Sequence, residues 1–158
     1  MAEYALRDPE VTKPLDPVVG IEKFREKLAC QWPSIQQSQV ASQGVQEQLS
    51  HLFQKPRVLT ADANFIIFGS LARREWTQGS DLDWTYLIDG ASDPEHLTSA
   101  QKIAKLLKEA KYSKPGPTGV FGNMAFSHEI IHQIGGINDT NRNMTQKDPS
   151  AFGIQSDP

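Results

Sequence analysis

Asp81 and Asp83 stand two residues apart in GSDLDW, and Gly69-Ser70 closes the apolar run NFIIF shortly before them. On an extended backbone, positions i and i+2 project from one face about 7 Å apart, so both carboxylates can reach one divalent cation or a pair of them. Leu82 then points the other way, into a core. Gly69 permits a close backbone approach, and the turn it begins can bring N–H groups and the Ser70 hydroxyl to a phosphate oxygen. Arg73 and Arg74 fall on the following turn, where a guanidinium fork takes phosphate oxygens in pairs. Thr77 and Ser80 can orient the intervening loop or cap a second strand, and Trp76 can cover a base or plug the core. Carboxylates for metal and donors for a triphosphate are the parts needed to move a nucleoside monophosphate, with an acceptor oxygen in line with the α-phosphorus.

These residues carry a family likeness. GSLARREWTQGSDLDW resembles the Gly-Ser, spacer, Ser-Asp-x-Asp signature of the DNA polymerase β-like nucleotidyltransferase superfamily, over about residues 63 to 89. The resemblance implies that Gly69 and Ser70 hold the triphosphate and that Asp81 and Asp83 bind magnesium, as one ion or two; Arg73 and Ser80 are further candidates for binding the nucleotide. It also implies a third carboxylate on a later strand, for which Glu129 is the best-placed candidate and a catalytic role is expected. The donor would be a nucleoside triphosphate, with ATP expected, and the acceptor a small molecule, a protein side chain or an RNA end. The alternative within the same fold is a catalytically inactive nucleotide-binding module, or the partner of another protein in the way of a sensor or antitoxin.

Other candidates read more plainly. Asp89 and Asp139 suit turns, Arg142 suits solvent, and Glu129 in SHEIIHQI equally suits the first turn of a helix. His128 and His132 share a helical face at i, i+4, a zinc half-site without a clear third ligand. Cys30 is the single cysteine and reads as a small buried hydrophobe on a helix.

The elements that must position the site follow from apolar spacing and punctuation. Residues 1 to 16 read as an extended arm. Asp16-Pro17 starts a first helix that ends near Trp32-Pro33, and Ser34 caps a second through about Phe53, the two forming an N-terminal helical segment over 17–56. A core follows over 57–136: a strand at Asn64–Phe68, a turn and short helix, a strand at Leu82–Ile88 stopped by Asp89-Gly90, and a helix over Pro94–Lys111 capped by Asp93. The loop Lys114–Gly119 then leads to a short strand within Val120–Phe126 and a brief helix ending at Gly135-Gly136. Residues 137–158 read as a polar, loosely ordered tail. The expectation is an α/β (α+β) fold, a small mixed sheet with helices packed on one side.

The bulk numbers narrow the class. A chain of 158 residues suits one domain. A net charge of −3 argues against a broad surface for polyanions, and nucleic acid is not the favoured partner. No run is apolar enough to span a membrane, and MAEYALRDPE lacks the layout of a signal peptide, so no membrane partner and a cytoplasmic location are expected. The glutamines from Gln36 to Gln48 read as an exposed helical face, with a homo-oligomer interface as their other use.

Overall fold

A computed structural model of the chain describes residues 17–54, 58–117, 121–132 and 151–155. The expected arm at 1–16, Asp139, Arg142 and the Gly135-Gly136 stop lie outside the described residues. Two compact units emerge, Met1–Ser34 and Ile35–Pro158. The first holds α1, Pro17–Leu28, which ends where Ala29 turns left-handed at φ 50°. Cys30 lies just beyond this end and is exposed, its Sγ 3.3 Å from the Leu28 carbonyl, so the expectation of a buried position fails. The helix stops before reaching it, leaving the thiol in the link to the next element.

The second unit is built on α2, Pro33–Gln54; β1, Ala63–Ile67; α3, Gly69–Ala72; β2, Trp84–Ile88; α4, Pro94–Glu109; β3, Asn123–Phe126; α5, Ser127–His132; and β4, Phe152–Gln155. The four strands form one mixed sheet in the order β3-β2-β1-β4. β1 pairs antiparallel with β2 and β4, while β2 pairs parallel with β3, so the fold is α/β as expected. The grouping of α2 with α1 in one N-terminal segment does not hold. Leu49 and Phe53 put α2 into the core of the sheet, and the division falls at Ser34 instead.

Alternation explains which face is covered. Phe65 and Ile67 of β1 point with Trp84, Tyr86 and Ile88 of β2 toward Leu49 and Phe53 of α2 and Ile103 and Leu107 of α4. Phe53 and Phe65 meet at 4.5 Å between ring centres, and Phe65 and Trp84 at 5.5 Å. Burying each such side chain stabilises the fold by roughly 1.5–3 kcal/mol, which fixes the strands under the two long helices. The buried Tyr86 hydroxyl is satisfied by Thr60, whose N–H and Oγ1 lie 3.2 and 2.9 Å away. On the opposite face Ile130 of the short α5 lines a small cavity together with Ile66, Thr85 and Leu87.

Of the expected loose tail, 137–158, only 151–155 is among the described residues, and that part holds a strand. Phe152–Gln155 adds a strand to β1, with Ile154 buried opposite Phe65. Gly153 allows the approach, since a Cβ there would meet Ile66 Cδ1 at 3.2 Å. No helix among the described residues is long and apolar enough to cross a membrane.

Candidate functional site

The site forms where β1 ends. Gly69 takes φ +65°, the left-handed conformation that side chains with a Cβ resist, and the chain turns at once into α3. A second reason for glycine lies across the turn: a Cβ here would sit 2.6 Å from Asp83 Oδ2. The Asp83 carboxylate is thus packed directly on the Gly69 backbone, with Ser70 the next residue. Leu71 is buried and anchors the turn in the core.

Asp81 and Asp83 precede β2 instead of lying within it. The extended segment is nevertheless tied on both sides: Phe68 N–H donates to the Asp83 carbonyl at 2.9 Å, and Leu82 N–H donates to the Ser113 carbonyl at 3.2 Å. Leu82 is 1% exposed and points into the core, Asp83 is half-buried and Asp81 exposed. The expected alternation therefore survives outside the strand. Burial raises the Asp83 carboxyl above its ordinary value, the charge of Asp81 raises it further, and Arg73 opposes both. A half-desolvated carboxylate beside a second negative charge is a group that a bound cation would relieve.

Arg73 is close enough to act on Asp83, yet its Nε donates to Glu75 Oε2 at 2.9 Å. Arg74 follows in a left-handed conformation, φ 60°, which lets the chain leave α3. Ser80 is engaged within the loop: its Oγ accepts from Thr77 N–H at 3.1 Å and lies 3.1 Å from Thr77 Oγ1. The pair orients the loop, and among the described residues no hydrogen bond ties Ser80 to the acids. Trp76 is buried and plugs the core, its N–H donating to Ser42 Oγ of α2 at 3.0 Å. Gln46 of α2 also donates, to the Leu71 carbonyl at 3.2 Å, so α2 braces the turn from behind.

Glu129 does not complete the acidic pair. No group of three potential metal-ligating side chains occurs among the described residues. The register explains it: β3 runs parallel to β2 with Ile88 opposite Phe126, and Ser127 Oγ donates to Asp89 Oδ1 at 2.6 Å. α5 therefore starts at the far end of β2, about 20 Å along the strand from the level of Asp83. Glu129 is an exposed residue in the first turn of that helix. Asp89 is a turn residue, held by Ser127. His128 is exposed, and the side chain of His132 lies outside the described residues.

Sequence reasoning missed the contribution of the loop after α4. Besides the Ser113 bond to Leu82, Gly116 packs by Asp81, whose Oδ2 would lie 3.6 Å from a Cβ at that position. The Pro-Gly-Pro run marks a loop but does not say which segment it will meet. No protein-family model, curated protein or solved structure matches this chain.

Proposed function

We propose that the chain is a metal-dependent nucleotidyltransferase, moving a nucleoside monophosphate from a nucleoside triphosphate to an acceptor nucleophile. The observation that carries this reading is the seating of the Asp83 carboxylate on the left-handed Gly69, which joins the Gly-Ser turn and the acidic pair in one place. Two carboxylate donors suit magnesium, which commonly takes one or two from protein and the rest from phosphates and water. Bound by Asp81 and Asp83, the cation would neutralise charge on the triphosphate as the bond between the α-phosphorus and the leaving oxygen breaks.

The roles of the chain's own residues follow. Ser70 offers a hydroxyl to the phosphates next to Asp83. Arg73 supplies positive charge to the departing pyrophosphate once it exchanges its Glu75 partner for phosphate oxygens. The acceptor oxygen attacks the α-phosphorus and pyrophosphate leaves, with ATP the expected donor. The lack of a third ligating side chain among the described residues favours a second reading, a nucleotide-binding or partner module without turnover.

The test is incubation with each α-labelled nucleoside triphosphate and magnesium, beside an Asp81→Ala, Asp83→Ala double variant. Pyrophosphate release or self-labelling that disappears in the variant supports transfer. Magnesium-dependent nucleotide binding without release selects the binding module, and no nucleotide binding rejects both.

A further inference from the structure

A cavity of about 640 Å³ opens between the end of α4, the loop after it and the start of β3. That volume lies within the range of small-molecule sites, roughly 300–1,000 Å³. Trp84, Leu107, Pro115 and Phe121 give it flat, apolar walls. Lys105, Lys108 and Lys114 also line it, and among the described residues no carboxylate does. In a chain with a net charge of −3, this is a local inversion of sign.

The lysines have little else to neutralise them. Among the described residues their one ion pair is Lys105 to Glu109, at 3.9 Å and largely exposed to solvent. Offsetting the negative end of the α4 dipole accounts for Lys108 in the last turn, but not for Lys114, which lies beyond the helix. Aromatic walls under a cationic rim match a ligand with the same two parts.

We propose that this cavity binds a small anion with a flat apolar body, an aromatic phosphate or carboxylate. The site is separate from the acidic pair, for neither Gly69, Ser70, Asp81 nor Asp83 lines it. The two nonetheless share a loop. Ser113 and Pro115 form part of the wall, while Ser113 holds Leu82 and Gly116 packs by Asp81. A ligand in the cavity would rest on this loop, which also borders the acidic segment.

The test is calorimetric titration of the full chain in EDTA with 1-naphthyl phosphate, 1-naphthoate, 1-naphthol and inorganic phosphate. Saturable one-to-one binding of the phosphate ester or the carboxylate is expected, at least tenfold tighter than naphthol or phosphate alone, and the stronger of the two names the preferred anion. A Lys108→Glu, Lys114→Glu variant, which alters only exposed residues, should weaken it at least tenfold. An Asp81→Asn, Asp83→Asn variant should retain it, so the outcome does not depend on whether the chain transfers nucleotides. Absence of saturable binding, equal binding by either fragment alone, or full affinity in the lysine variant would overturn the proposal.

Discussion

The two ends of the β1–β2 pair each seat an aspartate on a glycine, and they differ in what surrounds the charge. At one end a Cβ on Gly90 would lie 2.7 Å from Asp62 Oδ2; at the other a Cβ on Gly69 would lie 2.6 Å from Asp83 Oδ2. Asp62 is fully partnered. His96, 3% exposed, sets its Nε2 3.1 Å from both Asp62 oxygens while its Nδ1 accepts from Asp93 N–H at 3.2 Å. The Thr60 hydroxyl and then His96 hold the Asp62 carboxyl below its ordinary value. Asp83 has the opposite bias, raised by burial and by Asp81. One end is a clasp that ties β1, β2 and α4 together, and the other holds a charge that burial and Asp81 disfavour and Arg73 only partly offsets.

The sharpest way to break this comparison is to neutralise the acids at each end. Asp81→Asn with Asp83→Asn is expected to abolish the proposed nucleotide transfer while raising the urea midpoint, because the substitution removes a repelled and half-desolvated charge. A lower midpoint would show that the pair serves the fold. At the clasp, His96→Ala should cost about 2–3 kcal/mol in urea unfolding, since it leaves the Asp93 N–H and Asp62 without their partner and opens a void. A loss below about 0.5 kcal/mol would deny the clasp a structural role.

The glycines sharpen the comparison further. Gly69→Ala should cost about 1–3 kcal/mol, because it meets both a left-handed backbone and the Asp83 carboxylate. Gly90→Ala meets the Asp62 carboxylate without a left-handed backbone, and its effect on the thermal midpoint should be the smaller. Reversal of that order would remove the backbone argument at Gly69.

The smallest effect is expected with acid. Asp62 is held below 3.8, so its contribution is whole above that pH and is lost as pH falls through the lowered value. Asp62→Asn should therefore lie below the native chain in thermal midpoint at neutral pH, and the gap should close in strong acid. A gap unchanged down to pH values of about 2 would contradict the assignment.

Local features were legible in the sequence, and encounters between distant segments were not. The strand stop at Gly69, the inward Leu82 and the Asp93 cap, which accepts from Glu95 N–H at 2.7 Å, each depend on a few neighbouring residues. Asp62 meeting His96 spans 34 positions, and neither residue announces the other. β4 was hidden because FGIQ is too short and too poor in β-branched residues to stand out, and it becomes a strand only by docking on β1. At the site, the spacing suggested that the Gly-Ser turn and the acids lie near one another, and Asp83 does pack on Gly69, although Asp81 and Asp83 reach their positions ahead of the strand. Glu129 was misplaced because its distance from the acids depends on the parallel register of β3 with β2, a property of the whole sheet.

The brace from α2 bears on the order of assembly. The bonds from Gln46 to Leu71 and from Trp76 to Ser42 bridge 25 and 34 positions, while the innermost β1–β2 pair, Ile67 with Trp84, closes over a shorter stretch of chain. Loop closure across the longer intervals is the slower event, so the hairpin can zip before its connecting loop has a fixed path. The Trp76 amide then serves as a clock: its protection from solvent exchange begins when the helix arrives, and the proposed phosphate-binding turn matures at that same moment.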